Sequence, residues 1–200
     1  MTPRPSWSRS AIIAGLVLAG TCWISACGNG GPSRLEQAKA AQAARDAADA
    51  QARRESLARI ETQRLAALWR YQTGTIGGGS QITSSIQAMT SVDVDGSGAK
   101  PVLLVFRDHT RWGRSAYLVL QAGDFACRPE CKVSVAVNDH PPVQLAAWRP
   151  KTDEAIAIFI RDVAGMWRMA NDADRIAITF PVVAGGTREA VFETSGLDAS

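Results

Sequence analysis

Eight short apolar or alternating runs crowd residues 81–200: QITSSIQAMT, PVLLVFR, SAYLVLQ, KVSVAVN, VQLAAW, AIAIFI, RIAITF and EAVFET. Turn-forming residues separate them, in DGSG, RWGR, NDHPP and AGG. Successive side chains of a strand point to opposite faces, so a period of two marks half-buried strands. The runs follow one another too closely for the crossover helices that a parallel sheet needs. The pattern therefore predicts a mainly β domain over 81–200, an antiparallel sandwich or barrel of about eight strands. One short helix is expected within it, from Asp162 to Asp172, where Val163, Met166, Trp167 and Ala170 share a face.

The preceding segment has the opposite character. Residues 34–71 contain twelve alanines in 38 positions, with no glycine or proline. Alanine loses least on entering a helix. Ser33 followed by Glu36 makes a capping-box pattern. Asp49 with Arg53, and Glu55 with Arg59, stand four apart with the acid first, the favourable orientation. A long helical stalk is expected over 34–73, rising about 1.5 Å per residue. Its first half has little but methyl groups to bury. Leu57, Ile60, Leu65, Leu68 and Trp69 fall near one stripe, so the second half should pack on the β-domain or on a copy of itself. One stripe falls short of the three or four heptads of a coiled coil. A solvated spacer is the preferred reading, with self-association through the stalk as the alternative. GTIGGGS, residues 74–80, reads as a helix-breaking linker and domain boundary.

At the start, Arg4 and Arg9 precede AIIAGLVLAGTCWISA, sixteen residues without a charge. A membrane span needs about 20 apolar residues, so residues 1–26 suit a signal peptide better than a retained anchor. The run closes on Ile24-Ser25-Ala26-Cys27, which resembles the lipobox of bacterial lipoproteins: a branched apolar residue, two small ones, then cysteine. Cys22 lacks the branched residue three places before it. The resemblance implies cleavage before Cys27, whose sulfur would carry a diacylglycerol. A plain signal peptide cut near Ala26 is the competing reading. Each buried methylene of such an anchor contributes about 0.8 kcal/mol, and more than one chain gives durable attachment. Residues 27–33, CGNGGPS, would then be a loose tether. Gly28 in place of Asp implies sorting to the outer membrane, with the domain on its periplasmic face. Arg4 and Arg9 lie in the leader; from Cys27 on, 20 basic side chains face 19 acidic ones, which gives no reason to expect nucleic acid.

Cys127 and Cys131 flank a turn containing Pro129, between two strand-like runs. In an exported chain a disulfide is the natural expectation, pinning one hairpin end. Zinc would need four ligands, and only His109 and His140 could add to the pair. No metal and no cofactor is therefore expected. DVDGSG, Asp93 to Gly98, opens like a calcium loop but has Leu104 where a bidentate Glu is needed, so a turn is expected. Ser97-Gly98-Ala99-Lys100 matches Ser-x-x-Lys, but glycine inside it and Pro101 after it make a turn rather than a helix. Asp172 and Asp174 read as decoration of a helix end. Nothing points to a catalytic constellation, and a non-enzyme is expected.

RDHTRWGR is the candidate binding loop, with Arg107, His109, Arg111, Trp112 and Arg114 in eight residues. Arginine and tryptophan are enriched where proteins grip partners, and arginine also holds anionic glycans or headgroups. The plainer alternative is a basic hairpin end with Trp112 tucked against the sheet.

The stretch from WRYQ to SGLD resembles an uncharacterised family of β-rich bacterial envelope proteins. The residues that carry the likeness are Trp69, LLVFRDHTRWGR, GDFACRPECKVSVAVND and IAITFPVVAGGTREAVFETSGLD. A G-x-F-x-C segment preceded by an Arg–His loop is shared. The chain departs from that family where an acidic, phenylalanine-bearing run is replaced by VAVNDH. The resemblance implies an exported β-domain and brings no activity with it. Together these features lead us to expect a lipid-anchored binding module whose partner is another envelope protein or a toxin that it neutralises. A structural spacer is the second expectation, and a cell-wall glycan hydrolase the third.

Overall fold

The computed structural model describes residues 33–150 and 156–197. The expected leader, the lipobox-like segment with Cys27 and the expected tether up to residue 32 lie outside the described residues. The chain divides into two compact units, Met1–Ala48 and Asp49–Ser200.

Helix α1 spans Arg34–Leu68. Its start is the expected capping box: the Ser33 N–H donates to Glu36 Oε2 at 2.8 Å, and the Glu36 N–H donates to Ser33 Oγ at 3.2 Å. Neither Asp49 with Arg53 nor Glu55 with Arg59 closes. The Gln51 amide instead donates to Glu55 at 3.0 Å, and Gln42 to Asp46 at 2.9 Å. The stripe packs less than its sequence suggests. Leu57 is 67% and Ile60 59% exposed, and only Leu65 and Leu68 in the last turns are half-buried.

The helix ends at Leu68 rather than at residue 73. Strand β1, Trp69–Ile76, begins at once and pairs antiparallel with β2, Gly79–Gln87, from Trp69 opposite Ile86 to Ile76 opposite Gly79. GTIGGGS is thus no linker. It holds a two-residue hairpin turn, with Gly77 at φ +56° and Gly78 at φ +74°. Such turns match the twist of paired strands and need both central residues left-handed, which glycine accepts without a Cβ penalty. The physical reason for the early switch is Trp69. As the first residue of an edge strand it buries all but 4% of its surface, 6.1 Å from the Phe106 ring. A helix continuing past Leu68 would give up that pairing and burial.

The other strands are β3 (Val102–His109), β4 (Gly113–Leu120), β5 (Glu130–Val137), β6 (Val143–Trp148), β7 (Ala157–Ile160), β8 (Arg175–Pro181) and β9 (Thr187–Glu193). All eight predicted runs are strands, and β1 makes a ninth. They form one antiparallel sheet in the order β1-β2-β3-β4-β7-β6-β5-β8-β9. The domain is mainly β, as expected, but it is neither two stacked sheets nor a closed barrel. Just past β2, the Met89 N–H donates to the Val191 carbonyl on β9 at 2.7 Å, so the sheet curls until its two ends approach.

The inner face of the curl is the core. Leu104, Phe106, Leu118, Val133, Ile158, Ile176, Ile178, Phe180 and Phe192 are fully buried there. Helix α2, Val163–Asp172, lies between β7 and β8 as predicted. Asp162 caps it, accepting the Gly165 N–H at 2.9 Å. Met166 and Ala170 are buried, and Trp167 meets Phe106 edge-on at 5.0 Å.

Cys127 and Cys131 form a disulfide with an S–S distance of 2.08 Å. Its expected setting needs correction. Strands β4 and β5 do not pair, because β7 and β6 lie between them. The bond pins no hairpin. It fastens the incoming segment to the start of β5, where Phe125 also bridges to Val182 and meets Phe180 edge-on at 5.2 Å.

Candidate functional site

The five loop residues lie on the β3–β4 hairpin, but the hairpin sorts them into different jobs. His109 is 1% exposed. Its Nδ1 receives the backbone N–H of Arg111 at 3.0 Å and of Trp112 at 3.3 Å. An amide N–H can only donate, so Nδ1 is the acceptor and Nε2 carries the proton. Nε2 then donates to the Ile76 carbonyl at 2.9 Å. Arg111 donates to the Gly77 carbonyl at 2.9 Å. A Cβ on Gly77 would come within 2.5 Å of the Trp112 ring, and one on Gly79 within 2.5 Å of the His109 ring. His109 and Arg111 therefore clasp the β3–β4 tip to the β1–β2 tip. The glycines of the supposed linker leave room for that clasp.

Trp112 stacks on His109, with centroids 3.9 Å apart and planes 14° apart, and stays 54% exposed. It is not tucked away. Arg114 pairs with Asp108 at 3.0 Å and lies 5.0 Å from the Trp167 ring centre.

Arg107 differs from the others. It points to the outer face of the sheet, donates to Ser115 Oγ at 3.1 Å, and is half-buried. Its guanidinium carbon stands 5.7 Å from the Trp112 ring, 5.8 Å from Tyr117 and 5.9 Å from Phe159. No carboxylate pairs with it among the described residues. Tyr117 and Phe159 stack at 4.7 Å, and Trp148 lies 5.3 Å from Phe159. These rings come from β4, β7 and β6, brought side by side by register: Tyr117 opposite Phe159, and Phe159 opposite Trp148. Arg161 sits 5.8 Å from the Trp148 ring and is ion-paired with Glu130. Burial pushes the Tyr117 phenol above its ordinary value, while the Arg107 charge pulls it the other way.

A cleft of about 330 Å³ opens among Arg107, Trp112, Trp148, Phe159, Arg161 and Val163. Four of these, Trp148, Phe159, Arg161 and Val163, lie outside the loop singled out in the sequence. The only hint of them was an aromatic at an outward position of a strand, where a polar residue is usual. Without the strand order, nothing shows that they meet. A larger hollow of about 770 Å³ is lined by Arg70, Gln72, Ser85, Gln87, Leu103 and Gln121, and has no aromatic wall.

The other motifs are spent on local structure. Asp93 accepts the Gly96 N–H at 2.7 Å and Asp95 the Ser97 N–H at 3.0 Å, so both carboxylates hold a turn. Hydrogen bonds from Ser97 hold the Asp95 carboxyl below its usual range. Lys100 is in a β-bridge with Val92, not one helical turn above Ser97. Asp174 accepts the Ser195 hydroxyl at 2.8 Å beside the end of α2. His140 follows β5 on the surface, and no group of three or more metal-binding side chains occurs among the described residues. No family model, curated protein or solved structure matches the chain.

Proposed function

We propose that the protein is a non-enzymatic binding module, held by lipid on Cys27 at the periplasmic face of the outer membrane, that grips an envelope protein or toxin. The observation that carries this reading is the aromatic cleft. A soluble sheet face usually alternates apolar inside with polar outside. Here Trp112, Tyr117, Trp148 and Phe159 gather on the outer face around one arginine. Such aromatic and arginine anchors dominate binding energy at protein interfaces. Among the described residues no carboxylate lines the cleft, and Asp108 and Glu130 are each ion-paired with an arginine at its border, which leaves no acid–base pair facing it. That favours binding over the hydrolase alternative.

The test is retention of envelope proteins by the purified, immobilised chain. Trp112→Ala combined with Trp148→Ala should abolish retention of a protein that the parent holds, with the near-ultraviolet circular dichroism of the core unchanged. Undiminished retention by the double variant, or none by the parent, would reject the module.

A further inference from the structure

The cleft's charges suggest what enters it. Three guanidinium groups border it, from Arg107, Arg114 and Arg161. Two are already neutralised, Arg114 by Asp108 and Arg161 by Glu130. Among the described residues the uncompensated charge of the cleft is therefore one, and it sits on the half-buried Arg107. Partly desolvated charge is costly unless paired. Ring faces offset part of that cost, but each such contact is worth only ~0.5–2 kcal/mol. The guanidinium's remaining donors can take a carboxylate in two parallel hydrogen bonds.

We infer that the cleft takes a single carboxylate, an Asp or Glu side chain of the partner protein, seated on Arg107 between Trp112 and Trp148. This inference rests on the binding-module reading and names what the module grips. One net charge matches one carboxylate and not a polyanion, since phosphate-rich ligands are held by several uncompensated cations. A sugar platform fits less well. The rings stack on one another, Tyr117 on Phe159 at 25° between planes, with Arg107 over them, so they do not present a flat free face. The size agrees, because about 330 Å³ is at the low end for a ligand pocket and suits one side chain. The sorting of the loop changes with it: Arg107 and Trp112 are the binding residues, while His109 and Arg111 are positioning residues.

The experiment is a nuclear magnetic resonance titration of the isotope-labelled protein, purified from membranes as its cells process it. The probe is the blocked peptide acetyl-Ala-Leu-Glu-Leu-Ala-amide, run beside its Gln counterpart, inorganic pyrophosphate and chitotriose. The Glu peptide should move the indole signals of Trp112 and Trp148 saturably. The Gln peptide should bind at least tenfold more weakly, on the order of the 1.4 kcal/mol equivalent. Arg107→Met should lose the Glu-peptide effect, and Arg107→Lys should keep part of it. Equal shifts with the Gln peptide, stronger shifts with pyrophosphate or chitotriose, or no shift with the Glu peptide would overturn the inference. The Gln-peptide comparison needs no variant, so misfolding cannot blur it. Failure of the module reading looks different: the Glu peptide binds, yet no envelope protein is retained.

Discussion

At the scale of single residues, a cluster of cationic and aromatic side chains in one loop does not imply one role. His109, Arg111 and Trp112 follow each other closely, yet His109 is buried with every ring nitrogen engaged, while Trp112 stays more than half exposed. Sequence supplied the residue types. It could not supply the clasp, because Ile76 and Gly77, which accept from His109 and Arg111, lie over thirty residues earlier on a hairpin read as a linker. The clasp and the cleft should separate on mutation. His109→Ala leaves two backbone N–H groups and one carbonyl without partners, and each such group costs ~1–3 kcal/mol when water cannot replace it. Urea unfolding followed by tryptophan fluorescence should show a loss of that order. Arg107→Met, which strands no buried partner beyond Ser115, should cost less than about 1 kcal/mol. Equal losses would mean that Arg107 is structural.

At the scale of elements, the eight runs, the short helix, the capping box of α1 and the disulfide partners were legible because each is a local pattern. Alternation marks a strand wherever it pairs, and Ser33 and Glu36 stand only three positions apart. The ninth strand was missed because WRYQ follows an alanine-rich helix without a break, and the triple glycine at 77–79 just after the strand resembles a linker. What turns it into a strand is distant: Ile86 as pairing partner and Phe106 as a wall for Trp69. The same limit hid the sheet order, and with it the meeting of Tyr117, Phe159 and Trp148. The end of α1 is tied to β9 by Arg64, which bridges Glu61 at 2.7 Å and Glu193 at 2.5 Å. Hydrogen bonds from Arg64 hold the Glu193 and Glu61 carboxyls below the ordinary value of about 4.3. A lowered folded pKa gives stability that is present above the unfolded value and is lost as pH falls through the folded one. Protection of amides in the last turns of α1, corrected for the intrinsic exchange rate, should therefore fall as pH drops below the ordinary carboxylate range, and Glu193→Gln should give that lower protection, hence faster exchange, at pH 7. Equal exchange in parent and variant at pH 7 would show that the bridge contributes nothing. Solvent exposure keeps the effect modest.

At the scale of the whole molecule, the parts follow a consistent division of labour. From Cys27 on the chain is nearly neutral, the Asp93 and Asp95 carboxylates hold a turn, and two of the three arginines around the cleft have acidic partners. What stands out against that balance is an outward aromatic cleft whose Arg107 has no carboxylate partner among the described residues. The decisive measurement is photo-crosslinking in living cells, with a photoreactive amino acid at position 163 on the cleft's border and, as a control, at position 183, where Val183 is 66% exposed. A discrete protein adduct is expected from position 163, none from 183, and loss of the first when Arg107→Met is added. Adducts of equal intensity from both positions, or none from 163, would contradict the binding role of the cleft.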